Sequence, residues 1–313
     1  AMAGIIIATA SYDRSIRLWD AASTRCTRII APPKEAKNES HINKLELTPD
    51  GKYLAAAGNP NVKFYDARGQ NNSAVLSFTG HTSNVTSLGF QRQSKWMYTS
   101  SEDMTVKLWD LSASGCARDF KHSSSVTCAT LHPNQAEIIV GLQDGTIRVI
   151  DLTAGKTSCI LSMSDDESAI RSVAASNDGK WLVGVNNEGI CTAYEMPQRD
   201  SSIMDKKKSW KAHSTYVLKA AFSPNGKALA TSSADETVKI WTVGDWGEEK
   251  TLTGHTQWVW DCTFSADSAY LLTGSSDKTA RLWDLAQGET VRVYQGHAKS
   301  IVCVALNDLT DVA

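Results

Sequence analysis

The sequence predicts an all-β chain folded as a seven-bladed β-propeller. Three observations carry this prediction. One short phrase of residues recurs along the chain. Each copy reads as short strands separated by turn residues. No stretch shows the amphipathic helix pattern of about 10–15 residues that would signal βαβ units.

The phrase is clearest as Ala10-Ser11-Tyr12-Asp13-Arg14-Ser15-Ile16-Arg17-Leu18-Trp19-Asp20 and Ser100-Ser101-Glu102-Asp103-Met104-Thr105-Val106-Lys107-Leu108-Trp109-Asp110. It returns at Ser232–Trp241 and Ser275–Asp284, and weaker copies end at Tyr65-Asp66, Ile150-Asp151 and Tyr194-Glu195. Seven copies in 313 residues give about 45 residues each, close to the roughly 40–45 of a WD repeat.

Within one copy, Val259–Phe264 alternates as a strand and Ser265-Ala266-Asp267-Ser268 turns the chain. Tyr270–Gly274, Thr279–Trp283 and Glu289–Tyr294 follow as second, third and fourth strands. Four-stranded units in series are the blades of a propeller. The chain starts at a second strand, Ile5–Thr9, and carries a surplus first strand, Ile301–Leu306, after Gly296-His297. Three N-terminal strands and one C-terminal strand should therefore share blade one. That pairing closes the ring, removes open sheet edges and makes residues 1–313 a single domain.

Composition narrows the function. The formal net charge is −2, which argues against nucleic-acid binding driven by bulk charge. No apolar run reaches the roughly 18 residues of a membrane helix, so no direct membrane insertion is expected. The start lacks the basic and apolar regions of a signal peptide. Seven scattered cysteines with no CxxC pair read as reduced thiols packed as small hydrophobes, as in a cytosolic or nuclear protein. No phosphate-binding loop, nucleophile elbow or zinc-protease motif is present. No cofactor, metal or catalytic residue is expected. Lys206-Lys207-Lys208 falls in the longest irregular segment, residues 197–208, and reads as a solvated loop.

Each strong copy carries a polar set, with a His 28 residues before the Trp. The sets are His81/Asp103/Ser101/Trp109, His213/Asp235/Ser233/Trp241 and His255/Asp277/Ser275/Trp283. His297, Asp13, Ser11 and Trp19 would complete a fourth across the termini. A nucleophilic site is normally single and needs an oxyanion hole, so a set repeated in four blades reads as a buried hydrogen-bonded tetrad. Blades two, four and five lack the set. Blade four keeps His122 and Asp144, and blade five has Asp166, Asn186, Glu188 and Tyr194. These blades should form the softer sector.

The first strands align on Ile42, Val85, Val126, Ile170, Val217, Val259 and Ile301. Residues just before and after this anchor should share one side of the strand, because strand period is 2. They form a rim: His41/Asn43, Asn84/Thr86, Ser125/Thr127, Ala169/Arg171, Tyr216/Leu218, Trp258/Trp260 and Ser300/Val302. In this register Asn38, not His41, takes the tetrad histidine's place. Tyr216, Leu218, Trp258 and Trp260 cluster on adjacent blades, and Trp and Tyr dominate interface hot spots. Core positions here usually hold smaller aliphatics. A phosphopeptide reader would line its mouth with several arginines, and this rim offers Arg171 alone.

Beyond the generic repeat, Leu131-His132-Pro133-Asn134-Gln135-Ala136-Glu137-Ile138-Ile139-Val140-Gly141, Leu47-Thr48-Pro49-Asp50 with Ala55-Ala56-Ala57-Gly58, Lys95–Thr99, Trp258-Val259-Trp260 and Ile301–Asp308 resemble the small WD-repeat subunit of the TOR kinase complexes. This is the G-protein β-subunit-like, or "lethal with Sec thirteen", family. The resemblance runs from Ile7 to Asp308; the loop from Ala31 to Ser40 departs from it. It implies a non-catalytic subunit shared by TOR complexes 1 and 2, bound to the C-lobe of the TOR kinase domain and through it to other subunits. It also implies a cytoplasmic chain, recruited to endomembranes within the complex and not a homo-oligomer by itself. The matching partner-binding residues are Trp258 and Trp260; the rim adds His41, Asn43, Asn84, Tyr216 and Leu218. The competing reading is a general interaction propeller, a peptide reader or ubiquitin-ligase adaptor, which would bind short isolated peptides tightly.

Overall fold

The short apolar strands pair within each repeat and not between repeats. The computed structural model describes residues 5–32, 41–113, 115–163, 167–197 and 204–308. Among them, 28 strands make seven four-stranded antiparallel sheets, with no helix. Blade two holds β4 (Lys44–Leu47), β5 (Tyr53–Ala57), β6 (Val62–Asp66) and β7 (Leu76–Phe78). Blade three holds β8 (Val85–Phe90), β9 (Trp96–Ser101), β10 (Thr105–Asp110) and β11 (Cys116–Lys121). Blade four holds β12 (Val126–Leu131), β13 (Glu137–Leu142), β14 (Thr146–Asp151) and β15 (Lys156–Ser162). Blade five holds β16 (Ile170–Ala175), β17 (Trp181–Asn186), β18 (Ile190–Glu195) and β19 (Asp205–Lys211). Blade six holds β20 (Val217–Phe222), β21 (Ala228–Ser233), β22 (Val238–Thr242) and β23 (Glu248–Leu252). Blade seven holds β24 (Val259–Phe264), β25 (Tyr270–Ser275), β26 (Thr279–Asp284) and β27 (Glu289–Gln295).

Blade one closes the ring as the sequence predicts. Its order is β28 (Ile301–Asn307), β1 (Ile6–Ser11), β2 (Ile16–Trp19) and β3 (Cys26–Ile30). Ile7 faces Leu306 and Ala10 faces Cys303 across the β1–β28 pair.

The core is seven thin layers, one at each junction between blades. Ile139, Ile147 and Val149 of blade four pack on Ile170, Val173 and Leu182 of blade five. Ala230, Val238 and Ile240 of blade six meet Val259, Leu271 and Trp283 of blade seven. Ile7 and Trp19 of blade one meet Leu272, Ala280 and Tyr294 of blade seven. Both faces of a middle strand are thus buried, which is why β9, β13 and β17 carry apolar residues at consecutive positions. Outer strands such as β11 and β15 are largely exposed.

Two sequence expectations need correction. Lys206, Lys207 and Lys208 lie on β19, not in a loop. Each ammonium is held: Lys206 donates to Met163 O, Lys207 pairs with Glu195 at 2.8 Å, and Lys208 donates to Asp245 O. A run of like charges with no apolar alternation hid an outer strand whose lysine side chains reach partners on other segments. Among the cysteines, Cys128, Cys191, Cys262 and Cys303 are buried, but Cys116 is exposed on β11. The expectations for Asn38 and Asp166, and most of the 31–40 loop, fall outside the described residues.

Candidate functional site: the tetrad-bearing rim

The repeated polar sets are bonded, but through a different hydroxyl. In blade three Trp109 Nε1 donates to Thr99 Oγ1 at 2.8 Å, Thr99 Oγ1 lies 2.7 Å from His81 Nε2, and His81 Nδ1 lies 2.8 Å from Asp103 Oδ2. The chain recurs as Trp241–Thr231–His213–Asp235 and Trp283–Thr273–His255–Asp277. It recurs across the seam as Trp19–Thr9–His297–Asp13. A carboxylate accepts only, so His Nδ1 carries the hydrogen. The threonine hydroxyl then donates to bare Nε2 while accepting the indole N–H. Burial pushes Asp13, Asp235 and Asp277 up, but hydrogen bonds from the histidine and a neighbouring hydroxyl outweigh it and hold them well below the usual carboxylate range.

Ser11, Ser101, Ser233 and Ser275 therefore stand outside the tetrads. Each accepts the N–H of the aspartate two residues on. Ser11, Ser233 and Ser275 donate to Lys299 O, Tyr216 O and Gln257 O in the loop entering the inner strand. Thr and Ser are two apart on one strand face, so residue type and spacing alone favoured neither. With every member bonded within the blade, the sets have no free nucleophile.

Blades without the tetrad use other devices. In blade five Asn186 Oδ1 accepts the N–H groups of Glu188 and Ile190, and Tyr194 donates to Ser162 O. In blade four both nitrogens of His122 are buried without a hydrogen-bond partner. Val140 and Ile150 stand where a threonine and a tryptophan would receive it. Burial, then Arg148, lower His122 to about 4 against the pull of Asp144. A histidine lowered on folding contributes stability above its unfolded value of 6.5, and that contribution is lost as pH falls toward 4. His122→Leu is expected to abolish this loss, worth about 1 kcal/mol at pH 5 given the ring's partial exposure. Urea midpoints of both proteins at pH 7.5 and pH 5 check it.

The rim differs from the period-2 expectation. A β-bulge follows the anchor in β8, β12, β16, β20 and β24, and in blade one it falls at Val302 of β28. A bulge re-aims one side chain. It turns the second member of those rim pairs into the channel mouth, where Thr86, Thr127, Arg171, Leu218, Trp260 and Val302, with Asn43 of blade two, line a cavity of about 300 Å3. Tyr216 and Trp258 stay outside that mouth, 39% and 41% exposed.

The mouth has two unlike sectors. On blades two to four it is polar and already bonded to itself. Asn43 Nδ2 donates to Val85 O at 3.1 Å, Thr86 Oγ1 to Val126 O at 2.9 Å, and Thr127 Oγ1 to Ile170 O. Each latch ties one blade to the anchor of the next. Asn84 Nδ2 donates to Glu102 Oε2 at 2.8 Å. Asn43 and Asn84, expected as partner residues, thus have bonds within the propeller. The other sector is aromatic. Ring centroids of Tyr216 and Trp258 are 6.0 Å apart, and those of Trp258 and Trp260 5.5 Å. The arc continues from Trp260 to Tyr12 at 6.3 Å and from Tyr12 to His41 at 4.9 Å. Leu218 lies beside Trp260 at the mouth.

Comparison with known proteins agrees with the propeller fold. The family model of the WD domain, G-beta repeat, matches residues 3–20, 72–110, 114–151, 204–242 and 246–284. The target of rapamycin complex subunit wat1 of Schizosaccharomyces pombe is 45% identical over 308 residues, covering 97% of this chain and 96% of that one. The target of rapamycin complex subunit LST8 of Saccharomyces cerevisiae is 45% identical, covering 97% and 99%. The chain belongs to the LST8 family. The Mus musculus LST8 is 38% identical, covering 97% and 95%, so similarity to LST8 proteins spans fungi and mammals over nearly the whole ring.

In this LST8-family chain, the rim residue that sequence reasoning missed is Tyr12. It sits between the serine and aspartate of a tetrad turn, where its N–H bonds to Ser300 O. Glu102, Ala234 and Ser276 hold the same place beside Asn84, Tyr216 and Trp258. The signal was therefore in the repeat: the residue between Ser and Asp always neighbours the rim.

Proposed function

We propose that this chain is a non-catalytic subunit of the TOR complexes that seats part of the TOR kinase domain on its aromatic sector. The observation that carries the reading is the arc Tyr216–Trp258–Trp260, in which Tyr216 and Trp258 stay exposed and Trp260 is partly buried at the mouth, while the polar sector of the same rim is consumed internally. Exposed Trp and Tyr side by side are the composition of an interface hot spot. The relatives' names, target of rapamycin complex subunits in both yeasts and in mouse, supply the partner. The seat anchors a segment of the kinase C-lobe, and holding the bound conformation raises the active population by mass action. The chain acts in the cytoplasm, reaching endomembranes with the complex, as one copy per kinase seat.

Co-purification of the chain with a TOR kinase domain tests this. Stable capture is expected. No capture, with the propeller folded by circular dichroism and short immobilised peptides bound instead, would return the chain to the class of general peptide readers.

A further inference from the structure

We propose that a partner lying on the aromatic arc also locks the seam at which the ring closes, so that occupancy and ring closure are thermodynamically coupled. The proposal rests on the partner reading above and adds a mechanical consequence.

The two sectors of the mouth differ in how blades are tied. Asn43, Thr86 and Thr127 latch blade two to three, three to four, and four to five. At the next four junctions the equivalent residues are Arg171, Leu218, Trp260 and Val302. Leu218 and Val302 carry no side-chain donor. Trp260 spends its indole N–H on Ser276 Oγ of its own blade at 2.7 Å, and Arg171 Nε goes to Asn187 of its own blade. The latch at this end of the ring is therefore missing from blade five round to blade two. That stretch contains blade one, whose strands come from distant parts of the chain: Thr9 and His297 are 288 residues apart.

The aromatic arc spans this unlatched stretch. Its rings come from blade six (Tyr216), blade seven (Trp258, Trp260), blade one (Tyr12) and blade two (His41). A single partner surface resting on it bridges three of the four unlatched junctions. Beneath the arc lies an ionic clasp. Asp261 follows Trp260 at the bulge and is 4% exposed. Its Oδ2 accepts the Val304 N–H of β28 at 3.1 Å and lies 3.8 Å from Lys44 Nζ of blade two. Asp261 thus joins blade seven to the closing strand and, past it, to blade two. A buried carboxylate that loses its partners is costly, so the clasp resists withdrawal of β28. A partner that binds only the closed ring lowers the population of open seam by the factor 1 + [L]/Kd. Linkage then requires that weakening the seam weaken the partner's binding.

The buried thiols report opening blade by blade. Cys303 lies on β28 and Cys191 on β18 of blade five, and both are buried. Timed alkylation with N-ethylmaleimide, read by mass spectrometry, follows each. In the free chain Cys303 is expected to react faster than Cys191. Asp261→Asn should speed Cys303 by about 10-fold and leave Cys191 within about two-fold. Lys44→Gln provides the same arm should Asp261→Asn fail to fold. Adding a TOR kinase domain at 100 times its Kd should slow Cys303 by about 100-fold. Equal rates for Cys303 and Cys191 in wild type and variants would overturn the seam, because opening would be global. A kinase domain that binds while Cys303 reacts unchanged would overturn the coupling. A kinase domain that does not bind overturns the partner reading and the coupling built on it; the variants still judge the seam.

Discussion

Trp258→Ala should weaken capture of a TOR kinase domain by about 100-fold, the loss of a central aromatic anchor worth about 2–3 kcal/mol. The chain itself should stay folded, because the ring is 41% exposed and its ring contacts are with the rim rings Tyr216 and Trp260. Trp260→Ala is a poorer probe. Its indole bonds to Ser276 Oγ and it stands at the bulge beside the Asp261 clasp, so its loss mixes binding with ring stability. Asn43→Ala should show the reverse pattern: less stability, little change in capture. Isothermal titration with circular dichroism on each variant separates these cases. A Trp258→Ala protein that binds within two-fold of wild type would move the seat elsewhere on the ring.

Thr273→Val should cost more stability than any exposed rim substitution. The side chains are nearly the same shape, but valine strands two buried groups, the Trp283 indole N–H and His255 Nε2, which Thr273 Oγ1 joins at 2.9 and 2.8 Å. The expected loss is about 3 kcal/mol, from about 1–3 for each unsatisfied group less relaxation. Ser275→Ala, two residues on, should cost about 1 kcal/mol, since its oxygen serves one N–H and one carbonyl at the edge of the turn. Urea unfolding with linear extrapolation measures both. If the serine variant proved the more damaging, the tetrad would run through the wrong hydroxyl. The same chain sets an acid limit. Asp277 is depressed on folding, so its contribution is present above the unfolded carboxylate value near 4 and is lost as pH falls below it.

What could be read in the sequence was whatever repeats. Blade count, strand order within a blade and the shared blade one all follow from the recurring copies, and β24 to β28 lie within one or two residues of their expected spans. The aromatic cluster was legible because Trp258 and Trp260 flank one strand anchor and Tyr216 flanks the anchor of the neighbouring blade. The bulge was not, because it follows from backbone pairing between β-strands, and no residue type marks it. Period 2 therefore put Trp258 and Trp260 on one side, whereas the bulge sends Trp260 into the mouth and leaves Trp258 outside. The threonine of the tetrad was equally visible, at Thr9, Thr99, Thr231 and Thr273. Only the register of the tryptophan on the neighbouring strand decides which hydroxyl its indole reaches. Asn43 looked like a free rim amide because its acceptor, Val85 O, belongs to another blade.

The account's central claim is that the unlatched aromatic sector is the seat. Hydrogen–deuterium exchange of the chain alone and in complex with a TOR kinase domain tests it most directly. Protection is predicted in the loops that carry Tyr216, Trp258 and Tyr12, and along β28, with little change around Thr86 and Thr127. Protection confined to the opposite face, at the turns carrying Pro49 and Pro224, or to the latched sector would contradict it.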